Sequence, residues 1–164
     1  MADRVLSSRY FGAIAFADED VLSFPRGLPA FEEERRWILL DDGESSVRWL
    51  QSINDEGPAL PVTAPEALMP DYSARIPEDD MELVGASESD SPNLALLIVL
   101  CVPETEPWNM TANLRAPILV NLRTRCAVQV IALNEEYPVH HPLPEALREA
   151  MRLRHRPEKG GAEC

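Results

Sequence analysis

His140 and His141 are the side chains best equipped for chemistry: two adjacent imidazoles set between Val139 and Pro142, with His155 further along. Imidazole moves protons near neutral pH and ligates metals. Adjacent residues rarely turn both rings onto one ion, however, and no cysteine or aspartate cluster accompanies them in the sequence. They read as ordinary loop or packing histidines. Asp41-Asp42 and Asp79-Asp80 resemble acid–base dyads only on paper. Both fall in polar, turn-like segments, and a catalytic carboxyl needs a drier place. Cys101, Cys126 and Cys164 lack metal-site spacing; the first two lie in apolar strand patterns and read as small core hydrophobes. No glycine-rich phosphate loop, nucleophile elbow or Cys-x-x-Cys pair occurs. The expectation is a non-enzymatic chain with no cofactor and no metal. A small ligand- or metal-binding β-barrel using His140 and His141 is the remaining catalytic-style alternative.

Composition points instead to binding. The chain has 164 residues, suited to one domain, with 45% apolar residues and a formal net charge of −13. Such a surface repels nucleic acid and anionic membranes and attracts basic partners. The longest apolar run, Leu94 to Val102, is too short to cross a bilayer. An odd cysteine count without a signal peptide suggests the cytoplasm.

The elements that must position any site are strands. Thr111 to Leu133 reads as a hairpin, with Ile118, Val120 and Leu122 on one face by the two-residue period. A turn at Arg123-Thr124-Arg125 sets Leu122 opposite Cys126, Val120 opposite Val128 and Ile118 opposite Val130. Before it, residues 4–24 read as strand, break at Gly12, strand, acidic turn at Asp18-Glu19-Asp20 and short strand. The rigid loop Phe24 to Phe31 follows, its phenylalanines and Leu28 plugging one end of the core. Trp37–Leu40 and Val47–Gln51 form a hairpin whose two tryptophans read as core anchors. Leu60–Thr63 reads as a short edge strand, because Pro61 cannot donate to a ladder. Pro77 to Val84 reads as one or two helical turns, and Leu94–Val102 as a central strand covered on both faces. Asn134 to Leu143 reads as a closing loop.

From Pro144 to about Arg154 the spacing of Leu143, Leu147 and Met151 predicts a short amphipathic helix, with Glu145–Arg148 and Glu149–Arg152 pairs. Residues 144–164 hold five basic and four acidic side chains, leaving residues 1–143 at −14. We therefore expect a domain over 1–143 and a helical, flexible tail over 144–164. About nine short strands with little helix mean an all-β fold, mostly antiparallel, either a sandwich or a small barrel.

Ordered blocks along the chain carry a resemblance. Tyr10-Phe11-Gly12, Phe24-Pro25-Arg26-Gly27-Leu28-Pro29-Ala30-Phe31, Arg36–Leu40, Trp49–Ser52, Val62–Pro65, Pro70-Asp71-Tyr72 and Thr111–Asn121 follow one another, then Arg125, Gln129, Tyr137 and His141-Pro142-Leu143. In this order they resemble the FliW family of flagellar assembly factors, with Ala30 where the family's loop has glycine. That departure matters if the position needs a positive φ. The resemblance implies a compact β-barrel-like domain with one or two short helices, cytoplasmic and monomeric when free. It also implies a regulator that binds CsrA, a basic RNA-binding dimer, and flagellin. When export depletes flagellin, the factor turns to CsrA and relieves repression of flagellin messenger RNA. A flagellin-specific chaperone that never meets CsrA is the alternative within this class. No direct nucleic-acid or membrane contact is expected. Loops on a rigid β scaffold usually carry recognition, so Gln51, Ser52, Asn54, Asp55, Asp71 and Tyr72 are the candidate partner-binding residues. Asn113, Asn121 and Gln129 read as sheet and turn satisfiers.

Overall fold

A computed structural model of the chain describes residues 4–41, 46–87, 93–106, 109–146 and 148–149. The fold is all-β and mostly antiparallel. Strands β1 (Arg4–Ser8) and β2 (Gly12–Phe16) pair only with each other. The barrel is built from β3 (Leu22–Ser23), β4 (Arg36–Leu40), β5 (Val47–Ser52), β6 (Ala59–Thr63), β7 (Leu94–Cys101), β9 (Ile118–Asn121) and β10 (Cys126–Gln129). They run in the order β7-β6-β5-β4-β3-β10-β9, and β9 pairs back onto β7, closing a seven-stranded ring. The contact of β10 with β3, at Cys126 and Ser23, is the ring's parallel step. Two short strands, β8 (Thr111–Ala112) and β11 (His141–Pro142), extend from β7 as a flap. Helix α1 (Glu78–Leu83) packs outside the barrel near β10.

Period-two alternation decides what each strand contributes. Leu22, Trp37, Leu50, Leu60 with Val62, Leu97, Ile118 with Val120, and Ala127 come from all seven barrel strands and meet in one buried cluster. This is the barrel interior, and each large side chain withdrawn there contributes roughly 1.5–3 kcal/mol. Phe24 and Leu28 join it from the Phe24–Phe31 loop, so that loop closes one end of the core as expected. The alternate residues face outward under three smaller clusters. Ile98 and Leu100 lie under the β8–β11 flap, Leu119 and Val128 under α1, and Ile38 under the β1–β2 ribbon. Strand β7 is thus covered on both faces, as its sequence suggested.

Several expectations need correction. The hairpin of β9 and β10 pairs Cys126 with Asn121, Ala127 with Val120, and Val128 with Leu119, one residue away from the expected register. The turn is longer because Arg125 takes a positive φ of 58° and its N–H donates to Asn121 O at 2.8 Å. Leu122, assigned to the buried row, is 47% exposed. Strand β6 is not an edge: it lies between β5 and β7 with every residue buried. Pro61 is accommodated because the ladder with β7 involves only Val62 and Thr63. His141-Pro142 forms β11 rather than plain loop. Trp37 is a core anchor, but Trp49 is only half-buried. Cys101 and Cys126 are only partly buried rather than core residues, and burial pushes the Cys126 thiol pKa up.

Ala30 does adopt a positive φ, 73°, so the geometry that glycine would reach freely is imposed on an alanine. Gly27 in the same loop has φ 63°, and a Cβ there would lie 2.5 Å from Glu32 O. The loop is tied to α1 by a 3.0 Å ion pair between Arg26 and the buried Asp80. Helical backbone at 145–146 and 148–149 agrees with the start of the expected tail helix, and Arg148 pairs with Glu145 at 3.6 Å. Leu147, Ala150, Met151 and the rest of the tail, with His155 and Cys164, lie outside the described residues.

Candidate protein-docking surface

The loop joining β5 to β6 is held from below. Gln51 is fully buried; its amide donates to Ser52 O at 3.0 Å and to Gly57 O and Pro58 O at 3.3 Å. Its Oε1 accepts from Ser8 Oγ at 2.8 Å, which links the loop to β1. Ser52, also fully buried, donates from Oγ to Glu34 Oε1 at 2.5 Å. A Cβ at Gly57 would fall 2.8 Å from that hydroxyl, so only glycine fits. Asn54 donates from Nδ2 to the same Glu34 oxygen at 2.8 Å. Asp55 Oδ1 accepts from Ser7 N, and Glu56 N donates to Ser7 O, both at 2.8 Å. The loop is therefore preorganised: its backbone is pinned while Asn54, Asp55 and Glu56 remain exposed.

The six candidate residues consequently separate. Gln51 and Ser52 have no surface to offer and act as scaffold beneath the loop. Asn54 and Asp55 are presented outward. Asp71 is exposed too, but its neighbour Tyr72 belongs to a different wall of the barrel, packed with the cluster around Leu114 and Leu143. Tyr72 donates its hydroxyl to Leu114 O at 2.7 Å and stacks on Tyr137 at 4.7 Å. Burial, then the neighbouring Tyr137 hydroxyl, pushes the Tyr72 pKa up to about 12. The structure does not bring the two groups into one constellation.

Aromatic residues beside the loop were not singled out from the sequence as a surface. Phe11, in the β1–β2 turn, is 42% exposed and meets Trp49 edge-on at 5.6 Å. Tyr10 lies 6.3 Å from Phe11, with the Arg9 guanidinium 6.0 Å above its ring. Tyr10 and Phe11 donate their N–H groups to Ser8 Oγ, the hydroxyl that also reaches Gln51. One polar knot thus sets both the aromatic turn and the acidic loop. Partly exposed aromatics beside a rigid polar rim have the composition of binding hot spots. Two aromatics in succession before Gly12, at a hairpin turn where burial is scarce, were the available signal.

The histidines do not converge on a site. His140 is exposed with Nδ1 3.2 Å from Thr111 Oγ1, and His141 sits in β11. Among the described residues no three His, Cys, Asp or Glu side chains are gathered to hold a metal, and no helix is long and apolar enough to cross a membrane. Asn113, Asn121 and Gln129 act as satisfiers: Asn113 Oδ1 accepts from Ala116 N, and Gln129 donates to Ala116 O.

Comparison with known proteins agrees with this architecture. The model of the FliW protein family matches residues 5–143. The flagellar assembly factor FliW of Caldanaerobacter subterraneus subsp. tengcongensis is 35% identical over 147 residues, covering 88% of this chain and 96% of that one. The Thermotoga maritima factor is 34% identical over 137 residues, covering 83% and 91%. A crystal structure of the flagellar assembly factor FliW superposes with a TM-score of 0.77 at 29% identity, covering 87% of this chain and 99% of that one. That family consists of assembly factors rather than enzymes. With its seven-stranded ring and this match over most of its length, the chain belongs to the FliW family of flagellar assembly factors.

Proposed function

We propose that this chain binds the translational regulator CsrA and flagellin in the cytoplasm, and relieves CsrA repression of flagellin messenger RNA when export depletes flagellin. Family membership together with a net charge of −13 on a rigid barrel supports the reading. CsrA holds RNA phosphates through basic side chains. An acidic body docked beside that surface repels RNA without filling the RNA site, and complementary potentials speed the encounter. We assign one contact to exposed Asn54 and Asp55, supported by Gln51 and Ser52, and a second, separate one to exposed Asp71 beside Tyr72 on the other wall. We also take residues 1–143 as the binding domain and 144–164 as an appended helix and tail.

Capture from extract of a flagellated bacterium, probed for both proteins, tests the assignment: both should come down with this chain. Flagellin alone would favour the narrower chaperone role. Gel shifts of flagellin messenger RNA with CsrA, at several salt concentrations, test the electrostatic step. The loss of RNA affinity caused by this chain should shrink as salt rises, and a ratio flat across salt argues against charge repulsion. Asn54→Ala with Asp71→Ala should weaken CsrA capture while leaving thermal stability unchanged.

A further inference from the structure

Strand β2 has one neighbour, β1, and its other edge is uncovered by any strand among the described residues. Ser7 shows which backbone groups face that edge. Its N–H donates to Asp55 and its C=O accepts from Glu56, so both point away from β2. Ser7 opposite Ala13 is therefore a non-hydrogen-bonded pair, and by alternation so is Val5 opposite Ala15. Ala13 and Ala15 then aim their own N–H and C=O outward, and both residues are exposed. Proteins usually blunt such an edge with lysine, proline or a bulge. Gly12-Ala13-Ile14-Ala15-Phe16 carries no charge and no proline.

The surroundings select the occupant. Asp18, Glu19 and Asp20 lie just beyond the Phe16 end of β2, after Ala17. Against them stands Arg4, paired with Asp18 at 2.9 Å. A second copy of the chain would bring another −13 of charge to this edge. We propose that β2 is a strand-addition site for an extended basic segment of a partner protein. The segment's main chain pairs with Ala13 and Ala15, and its lysines or arginines meet Asp18 and Glu19 at the Phe16 end. This rests on the proposed function only in taking the occupant to be a protein, and its test uses neither CsrA nor flagellin.

The probe is a synthetic nine-residue peptide alternating lysine and valine, with a glutamate–valine peptide as control, added to the full chain. Binding is read by fluorescence anisotropy and by amide hydrogen exchange. The basic peptide should bind and slow exchange at Ala13 and Ala15 at least tenfold, leaving barrel amides unchanged. Ala15→Pro deletes an outward N–H but no β1–β2 bond, and should weaken binding at least tenfold; Ala15→Thr keeps the N–H and should bind like the parent. Glu19→Lys should weaken it about threefold. Melting temperatures of the variants separate loss of the edge from loss of the ribbon, and the exchange result on the unsubstituted chain stands without any variant. No slowing at Ala13 and Ala15, equal binding of the acidic peptide, or unchanged binding by a folded Ala15→Pro overturns the proposal. So does protection of these amides in the protein alone that rises with concentration alongside a dimer in ultracentrifugation.

Discussion

Two hairpins of this chain share a local plan and have opposite fates. In the β9–β10 hairpin, Ile118 to Asn121 are all buried, one face inside the barrel and the other under α1. Both of its edges are paired, to β7 and to β3. In the β1–β2 hairpin, Leu6 and Phe16 cover Ile38 while the opposite face is open. Its turn carries exposed Phe11, and one edge has no strand beside it. The first hairpin closes the scaffold; the second lies on it and offers side chains and main chain outward.

The largest contrast lies in truncation of matching positions. Ile118→Ala, in the barrel interior, should cost about 2–5 kcal/mol, read as a lowered urea midpoint. A cost below about 1 kcal/mol would mean the two hairpins are not energetically distinct. Asn121→Ala should cost about 2 kcal/mol. Its Nδ2 donates to Val84 O, and its Oδ1 accepts from Arg123 N and Thr124 N, so one buried amide joins the turn to the end of α1. Ala30→Gly should stabilise by about 0.5 kcal/mol, because release of the left-handed strain exceeds the added freedom of the unfolded chain.

Tyr72 sharpens the comparison through pH. Its pKa is raised on folding, so the neutral phenol is favoured by the native state. Its contribution is complete below the unfolded value of 10.0 and is lost as pH rises toward about 12. Alkaline loss of stability should therefore be shallower in Tyr72→Phe than in the parent over that window, measured by urea melts at each pH. Parallel curves would remove the phenol from the account. The smallest effect belongs to the open hairpin: Val5→Ala, at a position 70% exposed, should shift stability by less than about 0.5 kcal/mol.

Much of the fold was legible because strand period and turn chemistry are local. Gly12, with φ 75°, marked the β1–β2 turn, and the Phe24–Phe31 loop announced its own rigidity and its plugging side chains. The β9–β10 register was not legible. Leu119 and Val128 on the α1 side are as apolar as Ile118, Val120 and Ala127 inside the barrel, and the amides of Asn121 and Gln129 are bonded to Val84 O and Ala116 O, so the apolar pattern alone does not fix the register. The candidate site was half legible for a related reason. Gln51, Ser52, Asn54 and Asp55 form one polar run, and nothing in the run tells which amide faces Ser8 beneath and which faces water.

The sequence by itself determined the all-β class, most of the barrel strands and the net acidic charge, since each follows from residue type and short spacing. Tertiary structure decided ring closure, the central place of β6 despite Pro61, and which polar residues are scaffold. Those outcomes depend on contacts between residues far apart in the chain, such as Ser8 with Gln51 and Asn121 with Val84, which no local pattern encodes.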